Sequence, residues 1–498
     1  MRRKFVLLQS VHAASLFGAL CITTPVWSQT AATASMSPAE RAQVQKDLTD
    51  LNRMRAEFDA RISALEAKLG VQPPASASVA ATSAPASVPT TAPSTAIAAT
   101  VVPPSPEADP FLAEAAGKTS KSLEIYGFAQ LDYIQDFKRV DPNWQATLRP
   151  SKIPTVDGLF GSDGVSTLSV RQSRLGVKAT IPAGDHELKT QFEFDLYGTG
   201  VDAGQTTFRL RHAWGSWGPV LAGQTDSLFM DGDLFPNVVD YWGPTGMVFV
   251  RNPQFRVTLK DSDGIKFALA LEHPNSDIDV GYIRELDPNL GANIQGKTPI
   301  PDLTAQLRFT GDWGSLQVSG LLTKLAYDTA NTPNNDPSGS KVGGGVNVGA
   351  AINAGKSTVF RVGAVYGAGI ASYMNDGGMD LAPQTSVSSP SGLVPKAVPL
   401  LGITAYVDHN WSKTFSSALG YSITKVWNTN FQAPDAYESG QYASTNLLWT
   451  PAEKVMFGVE VLWGKRTDNG GNTGDDIRSQ VTAKYSFSSG NIFDGIAK

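Results

Sequence analysis

The chain has 498 residues, a formal net charge of −5 and 47 glycines, long enough for three ordinary domains or for one large barrel. Its mild acidity argues against nucleic acid as a partner. Its one cysteine, Cys21, excludes a disulfide framework, and no run of ~18 apolar residues offers a spanning helix.

Met1-Arg2-Arg3-Lys4 is a basic start, and 5–24 is mostly apolar. Val26-Trp27-Ser28 suits cleavage, which predicts a secretory signal peptide over 1–28 and a mature start at Gln29. Leu20 stands where lipoprotein processing needs a small residue, so Cys21 leaves with the signal. Three positive charges leave as well, giving a mature net charge of −5 − 3 = −8.

Ser37-Pro38-Ala39-Glu40 reads as a capped helix start, and Gly70 as its stop. Between them Val44, Leu51, Phe58 and Leu65 recur every seven residues, as do Leu48, Ile62 and Leu69 around Arg55. A seam this narrow predicts a periplasmic coiled coil over 37–70, with an amphipathic helix lying on a membrane as the alternative. Arg61 and Glu66 flank the seam, and their spacing resembles that of short trimeric coiled coils. From 71 to 117 the chain is Pro, Ala, Ser, Thr and Val with almost no charge, a linker that cannot bury enough to fold.

Over 122–487 the pattern changes to period two, the signature of strands with two unlike faces. Tight turns are expected at 182–185, 261–264, 311–314, 353–356 and 450–453. They alternate with long connections at 137–164, 226–251, 273–301, 327–340, 369–398, 428–438 and 466–475. Only the connection near 198–204 is a short member of the long set. Loops sorted by parity predict an all-β transmembrane barrel of about 16 antiparallel strands, followed by a tail over 488–498. Phe192, Phe194 and Leu196 face away from Gln191, Glu193 and Asp195; Phe208, Leu210 and Trp214 face away from Arg209 and Arg211. Leu168 and Val170 fall out of phase with Leu175 and Val177, which calls for a bulge or a subunit contact. The small-residue strand over 343–354 alternates weakly.

The inward positions collect cations: Arg209, Arg211, Arg256, Lys266, Arg308, Arg361, Arg478 and Lys484, with Arg171 and Arg174 on the adjacent wall. Fixed charges in a narrow low-dielectric passage concentrate counter-ions, so these residues are the candidate pore lining for anions. The loop 226–251, with Asp231, Asp233, Asp240, Tyr241 and Trp242, is too apolar to wave in water and is the candidate constriction. The same arginines could instead pair with Glu193, Asp195 and the loop acids to hold the loop. No catalytic constellation, cofactor motif or metal set stands out. His12, His186, His212, His273 and His409 are scattered, and a barrel hydrolase built on His212 is the minor enzymatic alternative.

Tyr126-Gly127-Phe128-Ala129-Gln130-Leu131-Asp132-Tyr133, Asp141-Pro142-Asn143-Trp144, Leu148-Arg149-Pro150, Val170-Arg171-Gln172-Ser173-Arg174 and Gly204-Gln205-Thr206-Thr207 resemble the DcaP-like outer-membrane porins, as does the loop from Asp226 to Met247. The resemblance implies a homotrimer of sixteen-stranded barrels in outer-membrane lipid, with a coiled coil in the periplasm. It also implies diffusion of small anionic solutes, dicarboxylates among them. In general porins the loop after the fifth strand folds inward, which is the place of 226–251 here. One departure is the aromatic end, Tyr485-Ser486-Phe487, after which 488–498 follows. Two other readings stay open: an envelope tether whose stalk grips peptidoglycan below a closed barrel, and a sugar-selective porin using Tyr241 and Trp242.

Overall fold

Alternating side chains make a strand with one oily face, and a sheet of such strands has edges that only closure removes. In the computed structural model, which describes residues 121–389 and 392–493, the sheet closes on itself. The signal peptide at 1–28, the coiled coil at 37–70 and the linker at 71–117 lie outside the described residues. β1 (Ser122–Asp136) is followed by β2, which runs as Val165–Ser169 and resumes as Arg174–Ala183. Next come β3 (His186–Tyr197), β4 (Thr206–Trp217), β5 (Val220–Asp226), β6 (Arg251–Ser262) and β7 (Ile265–Glu272). β8 is also interrupted, as Ile294–Lys297 and then Asp302–Gly311. β9 (Gly314–Thr329), β10 (Gly339–Ala354), β11 (Thr358–Ala368) and β12 (Pro399–Asn410) continue the wall. β13 (Phe415–Val426), β14 (Tyr437–Ala452), β15 (Val455–Asp468) and β16 (Thr473–Ser488) complete it.

The sheet has 18 paired segments, and joining the two halves of β2 and of β8 leaves sixteen antiparallel staves. The seam is the pairing of β16 with β1, from Tyr126 opposite Ser488 to Asp136 opposite Arg478. Just beyond Ser488 the chain stays on this seam, where Asn491 Oδ1 accepts from the Leu123 amide at 3.1 Å and Ser489 Oγ from the Ile125 amide at 3.0 Å. Every second connection is a tight turn, and 217–220 and 410–415 join those expected. The connection expected over 466–475 is shorter, only 469–472, because β15 and β16 keep pairing up to Thr467 and Thr473. Likewise β9 and β10 extend past the expected 327–340 loop and leave 330–338.

Outside, Leu168, Phe192, Phe208 and Leu271 are exposed, the oily face that a wall in lipid requires. Near the tight turns, Phe415, Trp449, Phe457 and Tyr485 make a run of ring contacts with centroids 6.4, 5.6 and 6.2 Å apart. Trp217, Trp313 and Trp411 are exposed at the same end, where an aromatic girdle belongs.

Two phase problems resolve as local insertions. In β2 the residues 170–173 form a turn, closed by the Ser173 amide on the Val170 carbonyl at 3.0 Å. It resets the period, so Leu168, Val170, Leu175 and Val177 are all exposed while Arg171 and Gln172 are buried. In β4, His212 opposes Glu193 but Leu210 opposes Phe194, leaving Arg211 as a bulge. Trp214 therefore does not share the outward face of Phe208, as its position in the sequence suggests; it is buried and donates to Gln191 Oε1 at 3.1 Å.

The largest cluster of buried apolar side chains is inside the barrel, where Phe229, Met230 and Val248 from the loop meet Leu321, Val365 and Leu400 from the wall. This explains the weak alternation of β10: a Cβ on Gly349 would stand 2.8 Å from Leu234 Cδ1. Gly363 on β11 meets the same methyl group more closely still. Gly363→Val is therefore expected to overpack this site and lower stability by about 1–3 kcal/mol. Thermal unfolding of the detergent-solubilised protein would show it as a lower midpoint.

Candidate functional site

The loop between β5 and β6 makes a circuit of the inner wall, and wall side chains bind its peptide groups. Glu272 of β7 starts it, accepting from the Leu228 amide and from Ser227 Oγ at 3.0 Å each. Ser319 of β9 and Asn347 of β10 donate to the Phe229 carbonyl at 3.0 and 2.8 Å. Gln317 holds the Met230 carbonyl at 2.7 Å. Farther round, Asp408 of β12 accepts from the Asn237 amide at 3.2 Å, and Asn446 of β14 donates to the Asn237 carbonyl at 2.7 Å. Glu460 of β15 takes both the Val239 and the Asp240 amides. On the way back, the Gly246 amide reaches Ser422 of β13 at 2.8 Å.

Loop acids anchor it as well. Asp231 is buried against Arg308 at 3.0 Å, and Asp233 lies on the same guanidinium. Asp240 accepts from Thr147 Oγ1 at 2.8 Å, the Leu148 amide at 3.0 Å and the Gly243 amide at 3.2 Å. Burial pushes both the Asp231 and Asp240 carboxyls up, against the pull of Arg308 and Arg478 respectively. Tyr241 stacks on Tyr197 at 4.1 Å, while Trp242 meets Trp144 edge-on at 5.1 Å.

Four arginines gather on β2 to β4. Arg211 bonds Glu193 at 2.7 Å and Asp195 at 3.2 Å, and Arg209 bonds Asp195 at 2.6 Å. Arg174 approaches Glu193 at 3.5 Å, and Arg171 donates to the Gly198 carbonyl at 2.8 Å over the Tyr197 ring. Both Arg209 and Arg211 also reach the Tyr241 hydroxyl, tying this wall to the loop. The Arg209 side chain is 23% exposed and its partner Asp195 0%, so the cation is the group that meets water.

The remaining expected cations are spread around the barrel. Arg361 bonds Asp408 at 2.7 Å, and Arg478 lies fully buried on Asp136 at 2.5 Å. Arg256 holds Gln254 at 3.0 Å and the Asp226 carbonyl at 2.6 Å. Lys266 sits 3.6 Å from Asp261 near a tight turn, and Lys484 lies 4.0 Å from the Phe128 ring centre. The structure thus brings Arg171, Arg174, Arg209 and Arg211 into one cluster, sets Lys484 next to Arg174 on the Phe128 ring, and leaves the others apart. Sequence pattern gave no signal for Glu272 and Glu460 as loop anchors, since single acids on a strand face look alike. It also passed over Arg149, Lys152 and Arg466 at the long-loop mouth, although Arg149 belongs to a motif already singled out.

At that mouth Asp380 ties two loops together, accepting from the Asp277 amide at 3.0 Å and the Ser372 amide at 3.1 Å. Burial pushes its carboxyl up to about 6, against those two amides.

The family model described as DcaP outer membrane protein matches residues 115–487. Among solved structures, the outer membrane channel DcaP of Acinetobacter baumannii aligns with a TM-score of 0.62 at 24% identity, over 75% of this chain and 100% of that one. OmpT of Vibrio cholerae aligns with a TM-score of 0.45 at 12% identity, over 75% of this chain and 100% of that one. The anion-selective porin from Comamonas acidovorans gives 0.45 at 10% identity, over 74% and 100%. No curated protein sequence matches.

Two outcomes follow from the buried charges. Arg478→Met leaves Asp136 buried without its cation and is expected to cost about 3–5 kcal/mol, with Asp136→Asn in the same chain recovering part of it. Thermal unfolding of the single and double variants measures both. An unfolded aspartate titrates near ~3.9, so the raised Asp380 carboxyl adds stability that is full below that pH and is lost as pH rises through about 6. The unfolding midpoint should therefore fall between pH 5 and pH 8 by a margin that Asp380→Asn reduces.

Proposed function

As a member of the DcaP outer membrane protein family the chain is an outer-membrane channel, and we propose that it passes small anions, dicarboxylates among them, by passive diffusion. The observation that carries this reading is the cluster on β2 to β4, where the guanidiniums of Arg174, Arg209 and Arg211 share two carboxylates, Glu193 and Asp195, and Arg171 stands beside them on the Gly198 carbonyl. The acids lie against the wall, and Arg209 and Arg174 are the more exposed partners of their pairs. A positive surplus beside a narrowed, low-dielectric passage raises the local concentration of anions. Guanidiniums suit carboxylates because two parallel N–H groups match two oxygens. Binding stays weak enough for exit because protein acids and water compete for the same donors.

The loop 226–251 acts as the constriction in this reading, its place fixed by the circuit of bonds along the wall. The channel works as a homotrimer with its tight turns in the periplasm. An even number of strands starts β1 and ends β16 at the tight-turn end. Sugar guidance by aromatic residues is the weaker reading, because Tyr241 and Trp242 are engaged with Tyr197 and Trp144.

The test is the reversal potential of the purified protein in a planar bilayer across a salt gradient. Anion preference is expected, and the joint change Arg174→Gln, Arg209→Gln should reduce the anion-to-cation permeability ratio several-fold. Cation preference of the unaltered channel would overturn the selectivity reading and leave the channel itself in place.

A further inference from the structure

The long-loop mouth holds a second polar chamber, separate from the arginine cluster on β2 to β4. It is a cavity of about 450 Å3, bounded by the long connections that follow β1, β7, β11 and β13 and by the end of β15. A space of that size accommodates a small solute. Three cations stand together on one side of it: Arg149, Lys152 and Arg466. Arg149 is already neutralised, bonded to Asp376 at 2.9 Å and lying 4.2 Å from the Trp144 ring centre. Among the described residues Arg466 has no ion pair and is held by backbone carbonyls, those of Ser151 at 3.2 Å, Ile153 at 3.5 Å and Asp435 at 2.8 Å. Those contacts fix its plane and leave its charge uncompensated.

Lys152 is different in kind. It ends a short helical turn, Pro150–Lys152, whose entry is fixed by Pro150 and by Ser151 bonding Asp376. Its ammonium has no carboxylate within ion-pair distance among the described residues, and its one ring contact is Trp144 at 5.9 Å. Burial, and then the charge of Arg149, push its pKa down, while Asp376 and Asp141 oppose them. A half-buried cation beside like charges gains when an anion arrives. Of the acids that line the chamber, Asp435 is engaged by Arg284, and Asp279 by the Gly281 amide and Gln432. Asp277 lines the same chamber, so an anion in it gains most at the side of Lys152.

We propose that this chamber is an outer capture site for a small carboxylate, which seats on the Lys152 ammonium with the Arg466 guanidinium beside it. Its place in transport rests on the anion-preferring reading of the channel, while the site itself rests on the cavity and its uncompensated cations. A flexible ammonium is a point charge that binds without strict geometry, which suits a site that must release its solute inward. Loaded in this way, the mouth would hold solute above the constriction before it meets the arginines of β2 to β4.

The experiment uses succinate as the probe and single trimers in a planar bilayer. Transient block of the current is recorded for the unaltered protein, Lys152→Gln, Lys152→Arg and a distant control, Lys413→Gln, in an exposed tight turn. Removing one charge-assisted contact at a half-exposed site should weaken the block about fivefold. Lys152→Arg and Lys413→Gln should block like the unaltered protein. Equal block in Lys152→Gln, or no succinate block in a channel whose reversal potential shows anion preference, overturns the site and leaves the channel reading standing. A Lys152-dependent block in a cation-preferring channel supports the site and overturns that reading instead.

Discussion

A polypeptide drawn into the lumen of a barrel leaves its peptide groups without ladder partners, and buried peptide groups must be satisfied by something. In this chain the wall supplies them. Glu272, Asp408 and Glu460 accept loop amides, and Ser319, Asn347 and Asn446 donate to loop carbonyls. The inner face of β7 to β15 is therefore polar for two reasons at once, since it must be wet where open and must bond the loop where covered. The glycines of β10 and β11 belong to the same constraint, as they let Leu234 approach the sheet.

The arginines sort by that division. Arg308 and Arg361 serve the loop through Asp231 and the Asp233 carbonyl, so their charges are spent on position. Arg209 and Arg211 also touch Tyr241, yet they share Glu193 and Asp195 with Arg174 and keep a surplus. The first pair therefore bonds the loop itself, and the second bonds acids of the wall.

Much of the fold was legible because lipid on one side and water on the other impose a strict period on every strand. Phe192 against Glu193 and Phe208 against Arg209 were readable for that reason. Loop parity gave the number of staves, and apolar content marked 226–251 as a segment that packs. What escaped were features that depend on partners far away in sequence. The bulge at Arg211 carries no turn residue, so nothing local warned that Trp214 changes face. Lys152 and Arg466 lie more than 300 positions apart, and only barrel closure and the Ser151 carbonyl bring them together. The expected 466–475 loop failed because Gly474 and Thr473 look like turn residues yet pair with Arg466 and Thr467.

The surplus residue in β4 has a consequence for how relatives of this chain can diverge. It splits one stave into two half-staves of opposite parity, so lipid and lumen exchange columns partway along. A lineage that lost a single codon there would turn the indole of Trp214 outward and its neighbours inward, with no change in amino-acid character. A length change of one residue inside a stave, at Arg211 as at the turn over 170–173, thus exchanges its lipid and lumen faces.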